Sequence, residues 1–120
     1  MNHTTAVNET STLIVGAGPA GLAVAACLKE RGLPFILLEQ GDQVGRAWHN
    51  HYDRLHLHTS RSMSGLPGYP MPRSYPRYPS RDQVTAYLAD YAAHFGLEPH
   101  FHQRLVRAER VGDRWLAHTD

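Results

Sequence analysis

The segment TLIVGAGPAGLAVAACLKERGLPFILLE, from Thr12 to Glu39, constrains the fold of this chain more than any other stretch. An apolar run (Thr12, Leu13, Ile14, Val15) leads into a turn bearing Gly16, Gly18 and Gly21. A helical pattern follows and stops at Gly32, and a second apolar run, Phe35 to Leu38, ends on the acid Glu39. Strand, glycine turn, helix, strand is the order of a nucleotide-binding βαβ unit. Gly16 allows the tight turn, Gly18 removes a Cβ that would hold the backbone away from a pyrophosphate, and Gly21 lets helix and strand pack closely. The first amides of the helix carry the positive end of its dipole, and Pro19 suits an early helical position because its missing N–H would lack a partner there. Glu39 stands 18 positions after Gly21, near the spacing of about 20 at which a carboxylate accepts bonds from an adenosine ribose. The fold class expected is α/β, Rossmann-like, with a parallel sheet in a three-layer arrangement.

At 120 residues the chain is one domain at most, and short for an enzyme that must hold a dinucleotide and a substrate. Twelve basic residues against 11 acidic ones give a formal charge of +1, so no nucleic-acid partner is indicated. Cys27 is the only cysteine, which excludes an intramolecular disulfide and a CxxC redox pair; its setting among alanines suits a small buried apolar residue. The first eleven residues lack a secretion signal's basic start and apolar core, and Leu22 to Leu28 is too short to span a bilayer, so the expectation is a cytoplasmic protein without a membrane partner.

Residues 1–11 are polar and without periodicity and are expected to be a disordered lead-in, with the domain covering 12–120. The first strand should lie at Thr12–Val15, buried on both faces, and the helix should run from Pro19 to about Arg31 with Leu22, Ala25, Ala26 and Leu28 inward. From Gln40 to Pro79 no period persists and Gly and Pro are dense. Aromatic and apolar residues such as Trp48, Tyr52, Leu57, Met63, Tyr69, Tyr75 and Tyr78 make this an ordered excursion that wraps something, with Tyr69, Tyr75 and Tyr78 expected to pack on the core. Ser80 and Gln83 form a capping box for a helix whose inner row is Val84, Tyr87, Leu88, Tyr91 and Phe95, closed at Gly96. Pro99–His102 reads as a short strand parallel to the first two, and Leu105–Arg110 with Arg114–His118 as a β-hairpin near the C-terminus turned at Gly112 and Asp113.

The segments GRAWHNHYDRLHLHTS and LPGYPMPRSYPRYPSRDQVTAYLADYAAHFGLEPHF, taken with the glycine turn, resemble the N-terminal part of the flavin-containing monooxygenases, above all the plant-type indole-pyruvate (YUCCA-like) branch. The resemblance runs from Thr12 to His118. It implies FAD on this glycine motif and NADPH on a second one that this chain does not contain. It also implies insertion of one oxygen atom from O2 into a small organic substrate through a flavin C4a-hydroperoxide. By resemblance, Gly16, Gly18, Pro19, Ala20 and Gly21 would hold the pyrophosphate, and Glu39 and Gln40 the adenosine ribose. Gly45, Arg46 and Trp48 would lie along the flavin half, and Leu105 would fall where backbone meets adenine. Arg46 stands where many relatives have a second glycine, and His58 where animal-type relatives have asparagine and the plant-type branch has histidine. For Trp48, cofactor contact and packing both stand open, as do a flavin-facing and a structural role for His58.

His49, His51, His56 and His58 invite a metal reading, but no cysteine is near and the only local acid is Asp53, so no metal site and no catalytic residue is assigned. Without the second glycine motif the chain reads as a truncated front end whose partner is the missing C-terminal half of the parent, inactive by itself. Two other readings remain at this level: an NAD-binding module of a dehydrogenase, and a non-catalytic fragment. A flavin-dependent disulfide reductase is disfavoured by the absent cysteine pair.

Overall fold

The computed structural model describes residues 8–120, so most of the expected lead-in lies outside the described residues; residues 8–11 carry neither helix nor strand. The elements are β1 (Leu13–Val15), α1 (Pro19–Glu30), β2 (Ile36–Leu38), α2 (Arg46–His49), α3 (Arg61–Ser64), α4 (Arg81–His94), β3 (Leu105–Val111) and β4 (Arg114–Thr119). β1 and β2 pair in parallel with Ile14 opposite Leu37, and β3 and β4 form an antiparallel hairpin. The α/β class, the parallel sheet and the C-terminal hairpin are thus as expected.

Both long helices stop by the same chemistry. Gly32 (φ 66) and Gly96 (φ 62) take the left-handed conformation, and the next amides, of Leu33 and Leu97, reach back to the carbonyls of Leu28 and Ala92 at 3.0 and 2.9 Å. At the start of α4 the capping box closes in both directions, Ser80 with Gln83.

The core joins Ile14, Leu22, Ala25, Ala26 and Leu37 of the βαβ unit to Val84, Tyr87, Leu88 and Tyr91 of α4. The long excursion wraps α4, whose tyrosines anchor it through both ring and hydroxyl. Tyr87 Oη donates to the Tyr69 carbonyl (2.6 Å) and accepts from the Leu66 amide (2.7 Å), and Tyr91 Oη donates to the Pro67 carbonyl (2.6 Å). Burial, then the neighbouring Cys27, Tyr87 and Glu30, push the Tyr91 phenol up to about 12.

Four expectations change. β1 is buried only at Ile14; Leu13 and Val15 are 37 % and 54 % exposed, because no element among the described residues covers that face of the sheet. Pro99–His102 forms no strand, only a parallel bridge of His100 to Leu38. His102 there adopts a left-handed φ of 57 and turns the chain away towards the hairpin. Tyr78, expected to pack, is exposed beside Arg77. Cys27 is half-buried rather than buried.

Candidate functional site

The turn between β1 and α1 is built so that its own backbone presents unused donors. Gly16 takes φ 101, reversing the chain, and its amide is spent on the Leu38 carbonyl at 2.7 Å. A Cβ at Gly21 would overlap the Gly16 carbonyl oxygen and touch Ile14, so glycine there is what lets α1 close on β1. Gly18 differs. Its φ of −87 is ordinary for any residue, and a Cβ there would meet nothing within 4 Å. The glycine therefore keeps open a space beside the helix N-terminus rather than serving the fold.

At this end of α1 the amides of Gly18, Ala20 and Gly21 donate to no acceptor among the described residues, and Pro19 has no N–H to offer. Three unpaired donors at the positive end of a 12-residue helix suit a diphosphate.

Glu39 borders the turn. The residue is only 7 % exposed, and its carboxylate takes the Ala17 amide on Oε1 at 2.9 Å and the Gly41 amide on Oε2 at 2.7 Å. A carboxylate has about four acceptor sites, so about two remain for ribose hydroxyls. Ala17 and Gly41 escaped the sequence reading, since nothing in their residue type marks a backbone donor. The exposed Gln40 follows Glu39 directly.

The expected flavin-side residues form a second group tied to the first. Gly45 (φ 69) starts α2, and its amide donates to the Ala17 carbonyl at 2.9 Å, so α2 hangs from the phosphate turn. A Cβ at Gly45 would stand 2.9 Å from Leu88 Cδ1, which leaves glycine as the residue that fits between α2 and α4. Arg46 does not point its charge freely, since Nη1 pairs with Asp42 at 3.1 Å. Trp48 is half-buried on the core and meets the His51 ring edge-on at 5.2 Å.

His58 is exposed, on the segment just after the pairing of Leu55–Leu57 with Pro79–Arg81, and Leu105 opens β3 half-buried. The structure thus gathers the turn, Glu39 and the start of α2, while His58 and Leu105 enter from separate segments. Among the described residues no group of three His, Cys, Asp or Glu side chains could hold a metal ion, and no helix is long and apolar enough to cross a membrane.

Comparison with known proteins matches residues 13–120 to the family described as pyridine nucleotide-disulphide oxidoreductase. Among curated proteins the chain is 44 % identical to indole-3-pyruvate monooxygenase YUCCA4 of Oryza sativa subsp. japonica over 94 % of its own length and 26 % of the relative's. It is 47 % identical to indole-3-pyruvate monooxygenase YUCCA6 of Arabidopsis thaliana over 82 % of the chain and 24 % of the relative. The chain therefore spans about a quarter of the length of the curated relatives it matches. Among solved structures it superposes on a flavin-containing monooxygenase from Stenotrophomonas maltophilia with a TM-score of 0.85 and 32 % identity, covering 92 % of this chain and 33 % of the other.

Proposed function

This chain belongs to the pyridine nucleotide-disulphide oxidoreductase family, and on that premise we propose that it is the N-terminal FAD-binding part of an NADPH-dependent flavin monooxygenase acting on a small organic molecule. The observation that carries the reading is the open space at Gly18, next in the chain to a helix start where the amides of Gly18, Ala20 and Gly21 have no acceptor among the described residues, with the Glu39 carboxylate held on the adjoining Ala17 amide. In this reading the turn binds the diphosphate, Glu39 and Gln40 the adenosine ribose, Leu105 the adenine edge, and Gly45, Arg46, Trp48 and His58 the flavin half.

Bound FAD, reduced by NADPH, would supply the activation of O2. The chain's residues contribute binding and orientation: the amides would donate to the diphosphate and fix it, and the bond from Gly45 to Ala17 sets α2 relative to that turn. One glycine fingerprint is present, so the nicotinamide nucleotide is proposed to be held by other residues of the parent. With Cys27 the only cysteine, no dithiol chemistry is proposed for this chain.

The test is a titration of the purified chain with ADP, FAD and NAD, followed by a visible spectrum after removal of free FAD. Binding of ADP and FAD, with retained or quenched flavin, supports the reading. NAD binding without FAD binding would move it to a dehydrogenase module, and NADPH turnover by these 120 residues would refute the assignment as an incomplete part.

A further inference from the structure

Arg81 is the first residue of α4, where a cation opposes the helix dipole, and its side chain is instead paired with acids and carbonyls. Nη1 donates to the carbonyls of His49 (3.3 Å) and His51 (2.9 Å) and lies 3.3 Å from Asp53 Oδ1, while Nε and Nη2 bind Asp82 Oδ1 at 3.1 and 2.8 Å. The side chain is 21 % exposed, against 92 % for Asp53 and 80 % for Asp82, so the arginine is the covered hub and the acids are its rim.

The backbone adds to the clamp. The Arg81 amide donates to Leu55 O at 2.8 Å and the Leu57 amide to Pro79 O at 2.9 Å, laying residues 55–57 antiparallel to 79–81. Trp48 lies immediately before the clamped segment, and His58 immediately after this short pairing. At its other end α2 is fixed to the phosphate turn through Gly45 and Ala17.

We infer that Arg81 is a positioning residue for the flavin half of the cofactor site: its Nη1, steadied by the bonds of Nε and Nη2 to Asp82, holds the carbonyls of His49 and His51 and thereby sets where α2, Trp48 and the path to His58 stand. The inference rests on the FAD reading above. The guanidinium meets the two carbonyls and Asp53 through Nη1 while Nε and Nη2 hold Asp82, a division between separate nitrogens in one plane that the single nitrogen of a lysine ammonium does not reproduce. The bonds of Arg81 reach neither the turn from Gly16 to Gly21 nor Glu39, and α2 meets that turn through the single bond from the Gly45 amide to the Ala17 carbonyl, so loss of the clamp is expected to fall mainly on the flavin half.

That difference gives the test. Dissociation constants for ADP and FAD are measured on the wild type, Arg81→Ala and Arg81→Lys, with visible circular dichroism of bound flavin. Arg81→Ala is expected to weaken FAD about tenfold, the scale of losing hydrogen bonds to a charged group, while ADP affinity stays within about twofold. The flavin dichroism changes with it, and Arg81→Lys falls between the two. Should Arg81→Ala fail to fold, Arg81→Lys carries the comparison.

Equal weakening of FAD and ADP, or unchanged FAD binding, overturns the inference and leaves the FAD reading standing. A wild type that binds FAD no more tightly than ADP also overturns it, since the flavin half then has no site here. A wild type that binds neither overturns the FAD reading, and the inference with it.

Discussion

Two glycines three positions apart in one turn should respond to alanine in opposite ways. Gly18→Ala places a methyl in open space at a φ of −87 that alanine adopts freely. Losing glycine at a helix N-cap costs about 0.5–1 kcal/mol. Restricting the unfolded chain returns about 0.4–1 kcal/mol. Net stability should therefore move by less than about 1 kcal/mol.

Gly21→Ala adds a methyl that overlaps the Gly16 carbonyl oxygen. The helix-propensity gain of about 1 kcal/mol is outweighed by repacking of the turn, on the order of 1–3 kcal/mol, since backbone rather than a flexible side chain must move. Urea melts should thus show Gly18→Ala near wild type and Gly21→Ala destabilised. Binding should invert the emphasis: folded Gly18→Ala should lose at least about tenfold in ADP affinity, about 1.4 kcal/mol, because its methyl occupies the open space at the turn through which a diphosphate would approach the unpaired amides. Wild-type ADP binding by Gly18→Ala, or wild-type stability of Gly21→Ala, would refute the division of labour argued for the turn.

Other substitutions probe the supports of the site. Glu39→Ala strands the Ala17 and Gly41 amides and should cost about 1–3 kcal/mol in a denaturant melt even without ligand, because those donors then lack acceptors. Tyr91→Phe removes the 2.6 Å bond to Pro67 O and should cost about 1–3 kcal/mol by the same assay, for the carbonyl left unpaired. Leu88→Ala, 2 % exposed and against Gly45, should cost about 2–5 kcal/mol, read in the same melt. In alkali, stability should fall from about pH 10 to about pH 12: above the ordinary phenol value of 10.0 the unfolded chain loses the Tyr91 proton that the folded chain keeps up to about 12. A melting temperature flat across that window, with Tyr91→Phe as control, would contradict this.

What was legible in the sequence is what local chemistry dictates. The βαβ unit, the Ser80–Gln83 capping box, the glycine stops at Gly32 and Gly96 and the turn at Gly112–Asp113 each follow from residues within a few positions of one another. What escaped depends on distance along the chain or on single backbone angles. The Glu39 carboxylate reaches Ala17 across 22 positions, and the hydroxyls of Tyr87 and Tyr91 pin a segment about 20 residues earlier, so neither shows in any pattern. The expected strand at Pro99–His102 is reduced to the bridge of His100 to Leu38 and ends at a left-handed His102, a single backbone angle that no residue pattern marks. Exposure of Leu13 and Val15 was hidden too, since an apolar run reads the same with one covered face or two. Arg81 carried a readable signal, a cation at the dipole end that disfavours it.

The most direct test of the central claim is a backbone amide NMR titration of this chain with ADP. The largest shifts should fall on Gly18, Ala20 and Gly21, whose amides have no other acceptor among the described residues, with Ala17 and Gly41 following through Glu39. Shifts centred elsewhere, or none in that turn at saturating ADP, would contradict it.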